Sequence, residues 1–361
     1  MLLYKKLLFF ALITVLAPFS PIFGDDKFVF EKKIEEFFNS VDCCGLSLIY
    51  VDADPKRDIR KIYSHGKHSR RSEVDINSHT EFRLGVLSQM FIAATLSYLV
   101  YEGQVSYSDP ISKFLPKTVK TPTYDGHEIT LLDLATHSSG LPNLSQTAWN
   151  WSDLNASHIY KFLSSTSLKQ RPGSKFEHSN IGYALLGNII SRITRKPIDS
   201  CIQRFILQPF GLSDSTFFLS TEQKSRLSIG YEQDKGVPPS LGKNSFSIFN
   251  KSLGLYSTPR DMLTFLEYML GIRITSLNSV LREIETPKKE FDKFSAGLGC
   301  KIYTQKNNNL EIITLKGSFF GFFSQITLIP SQNKGLVILA NKFDLDPNDL
   351  VNGLLNIDIP N

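Results

Sequence analysis

Phe82-Arg83-Leu84-Gly85-Val86-Leu87-Ser88-Gln89, running on through Phe91-Ile92-Ala93-Ala94 to Tyr101-Glu102-Gly103, is the stretch on which the fold turns. Phe91 to Tyr101 reads as an apolar helix. Gly103 stands just past its end, where a residue without Cβ most easily closes a helix. Residues three apart share a helix face, so Val86 and Gln89 look the same way from the first turn. Ser88, two positions past Val86, points to the far side. Valine has no nucleophilic atom, and a carboxamide is not a base near neutral pH.

Upstream, Leu46 to Val51 and Ile59 to Tyr63 are apolar or alternating runs, and Asp52 to Lys56 with Pro55 supplies a turn between them. They predict an antiparallel hairpin. Downstream, Thr130-Leu131-Leu132-Asp133 predicts a capped helix start, with Asp133 reaching back to the cap. Ile181 to Ile193 has helical spacing at Leu185, Leu186, Ile189, Ile190 and Ile193. Thr258-Pro259-Arg260-Asp261 is a second capped start, with proline suited to the first turn. Glu311 to Leu315, Gln325 to Ile329 and Gly335 to Ala340 return to strands. The order of strands, helices and strands predicts an α+β chain, with a helical region inserted into an antiparallel sheet.

Several motifs hold their spacing along this frame. Asp109-Pro110 and Lys113-Phe114-Leu115-Pro116 follow the apolar helix. Leu132-Asp133-Leu134-Ala135-Thr136-His137-Ser138-Ser139-Gly140-Leu141-Pro142 comes next, then Pro172-Gly173, Phe176, Ser179-Asn180 and Gly182-Tyr183. Gly254-Leu255-Tyr256-Ser257-Thr258 with Asp261, and Gly321-Phe322, Ser324, Pro330 and Asn341, complete the set. Together they resemble the beta-lactamase-related serine hydrolases, a family that includes class C beta-lactamases, D-Ala-D-Ala carboxypeptidases and related esterases. The likeness covers roughly Cys44 to Asn341. It implies the serine beta-lactamase and penicillin-binding-protein-like fold, an antiparallel sheet flanked by helices. The helical region, roughly 86–240, is then inserted into a sheet formed by 44–80 and 290–342.

The resemblance also locates the chemistry, and most of it is missing. The family's F-R-[IL]-G-S-x-x-K places its nucleophilic serine at Val86 and its lysine base at Gln89. His178 stands where the second motif has tyrosine, and imidazole is the most chemically tolerable of these changes. Asn180 is retained; in the family that residue binds a substrate amide. Aligning Gly321-Phe322 places Leu315-Lys316-Gly317 on the third motif, [HK]-T-G. Lys316 is then one residue late and on the threonine's face, since one step along a strand reverses the side; a bulge would restore its aim. The two oxyanion N–H groups fall on Val86 and Ser318, and backbone donors do not depend on side-chain identity. Val86, Asn180, Gly317 and Ser318 are the expected ligand-binding residues. Phe319, Phe320, Phe322 and Phe323 crowd this edge, and one or two are expected to line the cleft. His137 is read as structural. The S-x-x-K matches at Ser64 to Lys67, Ser240 to Lys243 and Ser331 to Lys334 precede no long apolar helix and are set aside.

Composition narrows the classes. With 42% apolar and 12% aromatic residues, a chain of 361 residues can bury a sizeable core. The net charge of +5 is modest, and no basic run is interleaved with aromatics, which argues against nucleic acid. Lys67-His68-Ser69-Arg70-Arg71 reads as a solvated loop. No cluster of His, Asp, Glu or Cys has metal-ligand spacing, and there is no phosphate loop, so neither metal nor cofactor is expected. Lys5 and Lys6 before the apolar Leu7 to Val15, and Asp25-Asp26 after Gly24, predict a signal peptide over 1–24, either cleaved or kept as an anchor. The remaining 25–361 reads as one domain, exported to the periplasm or secreted, touching membrane only through an uncleaved N-terminal segment. Cys43, Cys44, Cys201 and Cys300 read as ordinary buried thiols. The expected function is that of a pseudoenzyme of the cell envelope, binding a peptidoglycan-type peptide, a small carboxylate or a protein partner. The rival is an active hydrolase with a rearranged site around His178, Lys316 and Ser318.

Overall fold

The computed structural model describes residues 23–41, 45–55, 57–143, 154–232, 235–236 and 248–359. Eight strands form its main sheet. They are β1 (Gly45–Asp52), β2 (Ile59–Gly66), β3 (Lys289–Glu290), β4 (Ser295–Ala296), β5 (Lys301–Gln305), β6 (Leu310–Phe319), β7 (Phe322–Ile329) and β8 (Lys334–Ala340). Their order across the sheet is β2-β1-β8-β7-β6-β5-β4-β3, and every neighbouring pair is antiparallel. β1 and β2 are the hairpin read from the sequence, and β1, whose residues are all buried, also pairs with the last strand, β8. The edge strand β2 is half exposed, which suits its Arg60, Lys61 and His65.

The chain divides into two compact units, 1–40 and 41–361. The first contributes helix α1 (Phe23–Ser40). Most of the signal peptide expected over 1–24, and Cys43 and Cys44, lie outside the described residues. Among the described residues no helix is long and apolar enough to cross a membrane.

In the second unit, α2 (Ser88–Tyr101) is buried at every residue from Ser88 to Ser97, as its unbroken apolar sequence requires. Gly103 follows it with φ +67°, the left-handed conformation that closes a helix. α3 (Leu131–Ala135) starts on the expected capping box: Thr130 Oγ1 accepts from the Asp133 N–H at 3.2 Å, and the Thr130 N–H donates to Asp133 Oδ2 at 2.8 Å. α4 (Ala156–Ser165) and α5 (Asn180–Thr194) follow. α6 (Pro259–Met269) is capped by Thr258 with Pro259 in its first turn. α6 packs on β1 and β8, and α7 (Asn278–Glu285) packs on α2. Helices therefore continue past residue 240 to Glu285. The reason is that α6 is needed to cover the apolar face of β1 and β8. α8 (Asn348–Leu355) closes the described chain.

The basic stretch 67–71 is less solvated than its composition suggests. His68 is buried, with Nε2 3.0 Å from Thr80 Oγ1, and Lys67 Nζ lies 2.9 Å from Asp75 Oδ1. Cys201 and Cys300 are free and buried.

Candidate functional site

A short 3-10 turn, Gly85–Leu87, leads into α2 and lies against β6. Two glycines permit this approach. Gly85 has φ +52°, and a Cβ there would sit 2.7 Å from Phe319 Cβ. A Cβ on Gly317 would sit 2.5 Å from Val86 Cγ2. The Val86 side chain is therefore pressed onto the strand backbone where the family pattern expects a serine hydroxyl.

A cavity of about 420 Å³ opens beside this contact. It is bounded by the turn, by the start of α5 and by the end of β6. β5 stops pairing at Lys301 opposite Thr314, while β6 runs on to Phe319, so this part of the β6 edge borders the cavity instead of a strand. The structure brings Val86, His178, Asn180, Leu315, Lys316, Gly317 and Ser318 to this one space. Gln89 does not line it. It is fully buried beneath, at the centre of a hydrogen-bond relay.

The relay fixes the protonation of both histidines. The Ser179 N–H donates to His137 Nδ1 at 3.2 Å, so His137 carries its proton on Nε2 and donates to Gln89 Oε1 at 3.2 Å. Gln89 Nε2 donates to Asn180 Oδ1 at 2.9 Å. That same oxygen accepts from His178 Nε2 at 3.1 Å. The two imidazoles lie 4.3 Å apart between centroids. Burial holds His137 well below its ordinary value, with repulsion from His178 and Lys301 added. Burial also lowers His178, partly opposed by its bond to Asn180. Both rings are thus neutral at neutral pH.

The third motif keeps an unbroken register. Each residue from Ile313 to Phe319 pairs with one residue from Leu328 to Phe322, and no bulge intervenes. Leu315 and Gly317 therefore share the face toward Val86, and Lys316 and Ser318 take the other. Lys316 Nζ donates to Asn348 Oδ1 on α8 at 2.9 Å, and Ser318 Oγ donates to the Phe343 carbonyl. Ser88 faces away, accepting from the Leu255 N–H at 3.2 Å.

Two expectations change. None of Phe319, Phe320, Phe322 and Phe323 lines the cavity. Phe319, Phe322 and Phe323 are buried, and Phe320 packs against the core. The reason is the β6–β7 turn, which gathers Phe319 and Phe320 around the Arg83 guanidinium, at 5.2 and 5.3 Å. His137 is more than structural, because it lines the cavity and holds Gln89. No hydrogen bond joins Ser318 to His178 among the described residues: Ser318 Oγ donates to the Phe343 carbonyl and His178 Nε2 to Asn180 Oδ1.

Sequence reasoning missed Cys300 and Lys301 at the start of β5 and Phe176 at the cavity wall. Asn307-Asn308-Asn309 is a turn signal, and reading it as a β5–β6 hairpin would have brought Lys301 beside the third motif. The Cys300 thiol donates to the Ile284 carbonyl at 3.4 Å, and burial pushes it far above the ordinary thiol range, so it is not a nucleophile at neutral pH. Among the described residues no group of three or more His, Cys, Asp or Glu converges to hold a metal.

Comparison with known proteins agrees with this fold. The family model described as Beta-lactamase matches residues 50–359. The D-alanyl-D-alanine-carboxypeptidase/endopeptidase AmpH of Escherichia coli K12 is 26% identical over 90% of this chain and 86% of its own. Protein flp of Staphylococcus aureus N315 is 23% identical over 88% of this chain and 64% of its own. Among solved structures, a class C beta-lactamase mutant superposes with TM-score 0.79 at 20% identity, over 92% of this chain and 97% of that one. The beta-lactamase/D-alanine carboxypeptidase of Yersinia pestis, complexed with citrate, superposes with TM-score 0.75 at 22% identity, over 91% and 99%.

Proposed function

Because the chain belongs to the beta-lactamase family, we propose that it is a member that has lost acyl-enzyme chemistry and whose cleft works by binding. The observation that carries this reading is the state of the Gln89 amide. Both its ends are hydrogen-bonded, to His137 and to Asn180, beneath a valine packed on Gly317. Nucleophilic catalysis needs an activatable oxygen or sulfur with a base in reach. Here those places hold an isopropyl group and a carboxamide.

A rearranged hydrolase gains no support. Ser318 and Lys316 are bonded toward Phe343 and Asn348, and His178 Nε2 is committed as a donor to Asn180. The cavity itself persists, so a peptidoglycan-type peptide with a free carboxylate is the proposed ligand. The named relative is a D-alanyl-D-alanine carboxypeptidase, and the ligand class is carried over without the reaction. The charged start, apolar run and polar break over 1–26 support export to the periplasm or beyond.

Intact-mass spectrometry of the protein recovered from its own cell envelope or medium tests this. Exposure to a penicillin and to a fluorophosphonate should leave the mass unchanged. Losing either catalytic group alone normally costs several orders of magnitude in rate. The same spectrum reports whether residues 1–24 have been removed. A stoichiometric adduct mapped to any serine would overturn the reading.

A further inference from the structure

Lys301 has no role in the family pattern quoted above, yet it occupies the cavity wall. Its ammonium lies 4.8 Å over the Phe294 ring and 5.3 Å over the Phe176 ring. Those two rings meet edge to face with centroids 5.0 Å apart, and Tyr303 stands 5.7 Å from Phe294. A ring face attracts a cation but carries no net charge, so the positive charge stays uncancelled. None of the described residues lining the cavity is Asp or Glu. Lys316 adds like charge nearby, and burial and that repulsion both act against the Lys301 ammonium. A carboxylate placed here supplies the opposite charge that offsets both. Lys316 is the weaker anchor, since its own amine is exposed and already donates to Asn348.

We propose that Lys301 is the anchor for a ligand carboxylate, and that the ring walls around it select an acid carrying an apolar or aromatic group beside that carboxylate. The inference rests on reading the cavity as a binding cleft. The anchor comes from the strand next to the third motif, at a position opposite Thr314, and so brings a cation into the cavity although the motif's first position holds Leu315. The carboxylate forms charge-assisted bonds to Nζ while the apolar group lies on Phe176 and Tyr303, where the cavity has its aromatic surface.

The test uses the full protein labelled with 13C at lysine Cε, titrated with phenylacetate, acetate, phenylacetamide and an acetylated D-Ala-D-Ala peptide. Phenylacetate should shift the Lys301 signal, and acetate should need a higher concentration. Phenylacetamide, which has the ring but no charge, should leave the signal in place. Lys301→Met should weaken phenylacetate binding by about ten-fold or more, as expected for losing a charge-assisted bond in a half-buried site. Lys301→Arg should recover most of it, and Lys161→Met on α4 should not change it. If saturating phenylacetate leaves the wild-type Lys301 signal unmoved, the anchor is overturned, whatever the variants do. If acetate binds as tightly as phenylacetate, the ring selection is overturned. If the peptide fails while phenylacetate binds at Lys301, the peptide reading falls and the anchor stands. If the peptide binds and a folded Lys301→Met holds it equally well, the anchor falls and the peptide reading stands.

Discussion

Gln89 is a well-satisfied residue at the position where the family pattern has its lysine. A buried amide must place a donor and an acceptor, and here His137 and Asn180 supply the complements. A lysine at 89 would meet the same two groups. Its amine would accept from His137 Nε2 and donate to Asn180 Oδ1, which is possible only for the neutral form. Burial favours that form as well. Val86→Ser with Gln89→Lys should therefore rebuild a serine and an unprotonated base on one helix face. We expect slow acylation by a chromogenic beta-lactam in the double variant, seen as a mass adduct, and none in either single variant. Folding should be checked in parallel, since a buried lysine carries a desolvation cost. A folded double variant that stays unmodified would show that His178 and Leu315 also block the chemistry.

The strand β6 and the turn at 85–87 form one fitted contact. Gly317 has an ordinary strand backbone, so its lack of a side chain is needed for space alone, against Val86. Gly317→Ala should destabilise the fold by about 1–3 kcal/mol through overpacking. Val86→Ala should cost a similar amount by leaving a cavity, about 1–3 kcal/mol. The pair should cost less than the sum of the two, with a coupling of about 1 kcal/mol or more from urea melts. Strict additivity would mean that the turn does not rest on Gly317. Most of this contact was legible beforehand. The motif spacing set Val86 and Gly317 as family positions, and the face reversal of Lys316 followed from strand alternation. The partners of Lys316 and Ser318 were not legible, because Asn348 and Phe343 lie beyond the matched motifs.

Across the whole molecule, buried charges set how stability varies with pH. Glu81 is fully buried, with Oε1 3.0 Å from Gln223 Nε2 and 3.3 Å from Arg226 Nη2, and burial pushes it up to about 8. Burial likewise raises Glu285 to about 7, against the pull of Arg282. A carboxyl raised in the folded state binds its proton more tightly there than in the unfolded chain. Its contribution is present below the unfolded value of 4.5 and is lost as pH rises through the folded value. His137 and His178 act oppositely. Their lowered values make stability fall as pH drops below 6.5. Above pH 6.5 the histidines no longer contribute, so the melting temperature should decline from there to about pH 8. Glu81→Gln should flatten that decline. An unchanged slope in calorimetric scans would exclude Glu81 as its cause.

The sequence by itself determined the β1–β2 hairpin, the helices α2, α3, α5 and α6 and the strands β6 to β8, and that valine and glutamine stand at the family's nucleophile and base positions. Both are local facts: the caps at Thr130 and Thr258 bond within one turn, and a residue's identity at 86 or 89 needs no neighbour to be read. Tertiary structure alone decided what surrounds the vacated positions. Lys301 reaches the cavity only because β5 stops opposite Thr314 while β6 continues. His137 becomes the partner of Gln89 although 48 positions separate them, and the phenylalanines of 319–323 turn away because Arg83 and the core take their rings. Local periodicity specifies a side chain's direction relative to its own element. Which group it meets there depends on sheet register and helix packing between residues far apart in the chain.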